Sequence, residues 1–171
     1  MNTVVRALFA LISALILSAC VLSSKAPKFA AENGTVPISA DMEFDAHTRD
    51  GEEWKKEPEI ISFKRDGSVY LMSDGKNLAS VLFVEIAPQW FAAQYREDDK
   101  PYYYGLVKAA GVELEVTSLA CDKLKPLAGS MPEVRFSGDD CSLDAVSDPK
   151  AFFASLIGKL PGPGLKLVPR K

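Results

Sequence analysis

The sequence predicts an α+β fold that is mainly β, an antiparallel meander arranged as a barrel or a sandwich with one helix near its C-terminus. Three observations carry this. Short β-branched and aromatic runs are separated by turn signals every 8 to 12 residues or so. Val112-Glu113-Leu114-Glu115-Val116 alternates apolar with acidic, the pattern of a strand with one face buried and one wet. Ser147-Asp148-Pro149 combines an acidic cap with proline at the first helical position, ahead of an apolar helical face.

The elements follow in order from Met42. Glu59-Ile60-Ile61-Ser62-Phe63-Lys64 and Val69-Tyr70-Leu71-Met72 flank Arg65-Asp66-Gly67-Ser68, and the Asp-Gly pair suits a tight turn with positive φ, so these segments are read as a hairpin. After the turn Ser73-Asp74-Gly75-Lys76-Asn77, Ala79 to Ile86 is almost continuously apolar, which predicts a central strand covered on both faces and ended by Pro88. Gln89 to Tyr95, the polar loop Arg96 to Pro101, Tyr102 to Lys108 and Val112 to Val116 continue the meander. In the C-terminal third, Leu119 to Leu124 is expected as a short helical turn and Glu133 to Phe136 as a short strand. Ala151, Phe152, Phe153, Leu156, Ile157 and Leu160 give the helix its apolar face through about Lys159. Pro161-Gly162-Pro163-Gly164 breaks it, and Leu165-Lys166-Leu167-Val168 is read as a final strand.

The 171 residues are enough for one continuous core. Hydrophobic residues make up 47% and charged residues 25%, near the globular average, which argues against disorder and against a multi-span membrane protein. A net charge of -3 with only paired basic residues argues against nucleic acid, whose recognition needs a basic stripe to displace phosphate counterions.

The N-terminus reads MNTVVRALFALISALILSAC: Arg6 in a short polar start, apolar residues from Ala7 to Leu17, then small ones. This is the three-part plan of a secretory signal, and the apolar run is shorter than the roughly 20 residues of a spanning helix. Leu17-Ser18-Ala19-Cys20 resembles the lipobox of bacterial lipoproteins, a leucine and two small residues before an invariant cysteine. The resemblance covers the first 20 residues and implies that residues 1–19 are removed and that Cys20 carries a diacylglycerol and usually an acylated amine. Two or three chains make a stable anchor where one is marginal. Val21, rather than aspartate, follows the cysteine, which in that family favours the outer membrane, facing the periplasm. Val21 to about Ala40 has two prolines, a glycine and no sustained period; residues 20–40 are therefore read as the lipidated cysteine and a flexible tether about 25 Å long, and 41–171 as the folded domain.

With Cys20 lipidated, Cys121 and Cys141 remain as an even pair in an oxidising compartment, so a disulfide between them is expected; two separate buried thiols are the alternative. The spacing is not C-x-x-C and His47 is the only histidine, so neither a zinc site nor a Ser-His-Asp triad is expected, and no cofactor or metal is assigned. Ser147-Asp148-Pro149-Lys150 matches S-x-x-K but lacks the companion S-D-N and K-T-G motifs, and capping explains it. The acidic clusters Asp50-Gly51-Glu52-Glu53, Glu97-Asp98-Asp99 and Asp139-Asp140 lack calcium-loop spacing and read as solvated turns. Trp90, Phe91, Tyr95, Tyr102, Tyr103 and Tyr104 concentrate rings in a short span, with Tyr102 and Tyr104 on one strand face.

The mature chain also resembles uncharacterised proteobacterial lipoproteins with aromatic strands and a late cysteine pair. The leading expectation is a lipid-anchored, non-enzymatic envelope protein acting by binding an envelope protein or ligand, or in envelope maintenance. The first alternative is a small hydrophobic-ligand carrier whose barrel cavity is lined by Trp90, Tyr102 and Tyr104. The second is a small envelope hydrolase using paired carboxylates.

Overall fold

The computed structural model describes residues 21–38 and 41–171. Its strands, in chain order, are β1 (Ser23–Ser24), β2 (Met42–Asp50), β3 (Glu53–Asp66), β4 (Val69–Ser73), β5 (Leu78–Ala87), β6 (Trp90–Arg96), β7 (Tyr102–Ala110), β8 (Glu113–Ser118), β9 (Arg135–Ser137), β10 (Asp140–Ser142) and β11 (Leu165–Pro169). Helices α1 (Cys121–Leu124) and α2 (Pro149–Leu156) lie between β8 and β9 and between β10 and β11.

Strands β2 to β8 form an up-and-down antiparallel meander, and β11 enters between β8 and β2 to close eight strands into a barrel. Closure leaves those eight strands without an open hydrogen-bonding edge. The expected hairpin is present: Ser62 to Asp66 pair with Val69 to Ser73, and Gly67 supplies φ +64 in the turn. In β8 the alternation places Leu114 in the core, but Val112 lies in the turn before the strand and is 71% exposed.

The apolar residues divide into two cores. Phe44, Ile61, Phe63, Tyr70, Val81, Phe83, Phe91, Val107, Leu114 and Leu167 fill the barrel interior. Leu82, Val84, Ala92, Tyr104 and Leu106 point outward from β5, β6 and β7, where Leu22, Phe29, Leu119, Leu124, Leu143, Phe153 and Leu156 cover them. Strand β5 is thus buried on both faces, as its unbroken apolar run predicts.

The covering layer is built from the two ends of the chain. Asp148 caps α2 by accepting from the Ala151 amide at 3.0 Å, with Pro149 at the first turn. The helix ends at Leu156, earlier than its apolar pattern suggests, and Gly158 turns the chain at φ +76. Phe153 lies between Phe29 and Tyr104, each ring centroid 5.7 Å from its own. Cys121 of α1 and Cys141 of β10 form a disulfide, the first of the two expected arrangements, and both are buried.

The expectation of a flexible tether over 20–40 is corrected. Val21, Leu22, Ser24, Phe29 and Ile38 are buried. Val21 bridges to Ala120, and β1 pairs with β7 on one side and β10 on the other. Gln94, buried on β6, accepts from the amides of Lys28 (2.8 Å) and Phe29 (3.0 Å), and its amide donates to the Phe29 carbonyl at 3.0 Å. The Tyr104 hydroxyl shares a 2.6 Å hydrogen bond with Ser24 and accepts from the Lys28 amide at 3.2 Å. A segment held by single apolar anchors and side-chain bonds to its backbone has no period for a sequence reading to find. The folded unit therefore includes 21–38 as well as 41–171. Cys20 and the leader lie outside the described residues.

Candidate functional site

The barrel holds an apolar cavity of about 100 Å³, partly open, bordered by Ile61 and Phe63 of β3, Met72 of β4, Val81 and Phe83 of β5, Ala93 and Tyr95 of β6, Val107 of β7, Leu114 and Val116 of β8, and Leu165 and Leu167 of β11. Strand alternation delivers these side chains, since every second residue of each strand points inward. Ala93 stands opposite Gly105, so the β6–β7 wall carries little side-chain bulk at that level, and the gap between the rings facing it is left open.

One end of the barrel is packed shut. Phe44 meets Phe63 edge-on at 5.7 Å, Tyr70 meets Phe83 at 5.5 Å, and the Tyr70 hydroxyl donates to the Ile38 carbonyl at 2.5 Å. The cavity lies towards the opposite end, where Met72, Tyr95, Ser118 and Leu165 stand near the ends of their strands and the connections 51–52, 74–77 and 97–101 cross between strands. Tyr95 and Tyr103 stack there with centroids 5.7 Å apart. Burial pushes the Tyr95 phenol well above its usual range, with Tyr103 adding to the effect, so Tyr95 presents a neutral ring to the cavity.

The polar groups at this end come from β2 and β3. Their ladder shifts register between Asp45 and His47: Asp45 pairs with Ile60, but His47 pairs with Lys56, so Glu57, Pro58 and Glu59 stand opposite Ala46 alone. Glu57 and Glu59 share the inward face of β3 with Ile61 and Phe63 and are half-buried, while Pro58 and Ile60 are exposed. The Thr48 hydroxyl donates to Glu57 Oε1. Among the described residues, Glu59 Oε2 is the buried side-chain nitrogen or oxygen that has no hydrogen-bond partner.

Of the three rings expected to line the cavity, Tyr104 borders it and Trp90 and Tyr102 stand elsewhere. Trp90 is half-buried near the packed end, with Lys108 Nζ 5.9 Å from its ring centroid. Tyr102 lies under the Arg96 guanidinium, 5.0 Å from its ring centroid, and borders a separate outer recess of about 240 Å³ beside Phe29 and Ser80. Tyr104 borders the cavity, but its ring rests on Phe153 and its hydroxyl serves the N-terminal segment; burial pushes its pKa up to about 12. The inward rings that border the cavity are Phe63, Phe83 and Tyr95, with Tyr103 stacked on Tyr95. Once Tyr95 is known to pair with Tyr103, β7 parity turns Tyr102 and Tyr104 outward.

His47 sits on the outer face of β2, its Nδ1 3.3 Å from the Asp45 carbonyl oxygen. Ser147 bonds Glu133 rather than Lys150, its hydroxyl donating at 2.8 Å. Among the described residues no group of three or more His, Cys, Asp or Glu is placed to hold a metal ion, and no helix is long and apolar enough to cross a membrane. No protein-family model, curated protein or solved structure matches this chain.

Proposed function

We propose that this chain is a lipid-anchored envelope protein whose barrel binds a small apolar ligand without transforming it, the diacylglycerol on Cys20 holding it at the periplasmic face of the outer membrane. The observation that carries the binding half is the cavity: an interior space walled by Phe63, Phe83, Tyr95 and aliphatic side chains, left open where Ala93 faces Gly105. Apolar surface exposed in such a space gains free energy when a ligand displaces its water. At about 100 Å³ the space suits a short alkyl chain or a small ring. The anchoring half is supported by Leu17-Ser18-Ala19-Cys20 behind an apolar leader.

Each half has its own test. Thermal unfolding of the full-length protein with millimolar n-pentanol is expected to show a rise in Tm that grows with ligand concentration. The rise is expected to vanish in Ala93→Leu, whose added carbons occupy the cavity. A wild-type Tm indifferent to pentanol overturns the binding half. Radioactive palmitate is expected to label the wild type and not Cys20→Ala; equal labelling of the two overturns the anchor.

A further inference from the structure

We infer that the cavity mouth selects a ligand with a cationic, hydrogen-donating head, an alkylamine in preference to an alkanol or a carboxylate, and that Glu59 receives the head. This deepens the proposed binding function and rests on it. Glu59 is one inward position from Ile61, towards the mouth, and Ile61 borders the cavity. Its neighbour across the β2–β3 ladder is Ala46, which offers no side-chain donor, and Ala46 pairs in turn with Leu167, another cavity residue. Glu59 therefore stands beside the apolar wall, next to Ile61 along the inward face of β3 and opposite the residue that pairs with Leu167.

A buried carboxylate oxygen without a donor is costly, because the water it has lost is not replaced. The groups that might serve it are committed elsewhere. Thr48 donates to Glu57, the Lys55 ammonium is paired with Asp50, and the Lys56 ammonium is paired with Asp45 on the outer face at 2.6 Å. The register shift at Ala46 puts three residues of β3 opposite one of β2, so Glu57 and Glu59 share Ala46, which has no side-chain donor, as their inward neighbour on that strand. An ammonium brought in by a ligand supplies both the missing donor and an opposite charge, while its alkyl tail enters the space lined by Phe63 and Phe83. A ligand carboxylate in the same position would face like charge with no donor to offer.

The test compares n-pentylamine, n-pentanol and n-pentanoate by thermal shift and calorimetry on full-length wild type, Glu59→Gln, Glu59→Asp and Glu52→Gln. Glu52 is an exposed turn residue at the same barrel end, so Glu52→Gln removes one charge there without touching the cavity. Pentylamine is expected to bind wild type and Glu52→Gln about tenfold more tightly than pentanol, the step a hydrogen bond to a charged group supplies. Glu59→Gln is expected to abolish that preference while keeping pentanol binding, and Glu59→Asp to retain part of it. If pentanol binds and pentylamine binds no better, or if Glu59→Gln leaves the preference intact, the assignment of Glu59 is overturned and the cavity reading stands. If none of the three ligands binds wild type, both fall.

Discussion

Gln94→Leu tests how the N-terminal segment is fastened to the barrel. Gln94 is 6% exposed, and its amide satisfies the Lys28 and Phe29 amides and the Phe29 carbonyl. Leucine fills a similar volume, so the cavity contribution is small and the loss is three hydrogen bonds to the backbone, which leaves the Phe29 amide and carbonyl without partners while the Lys28 amide keeps the Tyr104 hydroxyl. At about 1 kcal/mol each the cost is about 3 kcal/mol, and more if the groups stay dry. For a chain of this size that lowers Tm by roughly 6 to 12 °C. The segment also has a local way out: it can lift from β6 and β7, exposing Phe29 and the peptide bonds after Lys25 and Lys28. Thermal unfolding read beside limited trypsin digestion captures both routes, since the variant is expected either to melt earlier or to be cut at Lys25 and Lys28 while the barrel persists. A variant that melts with the wild type and resists trypsin equally would show that these bonds do not hold the segment, and would refute the reasoning.

Three further outcomes follow from the same packing. Replacing both Cys121 and Cys141 with alanine opens a loop with a sequence separation of 20 and is expected to cost about 3 kcal/mol in denaturant unfolding, with reductant giving the wild type the same loss. Phe153→Ala empties the point where α2 meets Phe29 and Tyr104, and a fully buried phenylalanine lost in this way costs about 3 to 5 kcal/mol, read as a shift in denaturation midpoint with both cores reporting together. The Tyr104 phenol, raised by burial from 10.0 to about 12, ionises more readily in the unfolded chain; stability is therefore full below pH 10 and declines as pH rises towards about 12, and Tyr104→Phe should flatten part of that decline.

Much of the barrel is legible because strand alternation and turn chemistry are local signals. Asp66-Gly67 fixes a hairpin, the unbroken run in β5 announces burial on two faces, and Leu165 to Val168 reads as a strand even without showing that it closes the barrel between β8 and β2. The site is less legible. Tyr102 and Tyr104 share a strand face in any register, but which face is inward depends on their pairing with β6. Glu59 stands among charged residues in the sequence; alternation from Ile61 and Phe63 puts it on the inward face, but nothing local shows that Ala46 stands opposite or that its oxygen lacks a partner. The N-terminal segment defeated a local reading because its partners are remote: Gln94 is more than 60 residues away from the backbone it holds.

That remoteness sets the order in which the molecule can be assembled. The Lys25 amide finds its acceptor, Asp144, 119 residues further along the chain, and Ser23 receives the Leu143 amide. Residues 23–25 must wait for residues 143–144 to complete these bonds, and β11, which seals the barrel, comes later still in the chain. Contacts this distant are slow to form, because the intervening chain must be constrained before they repay it. The N-terminal segment can meet Gln94 and Tyr104 early, but its bonds to residues 143–144 and the sealing of the barrel by β11 come last, so the C-terminal third times the final stage of folding.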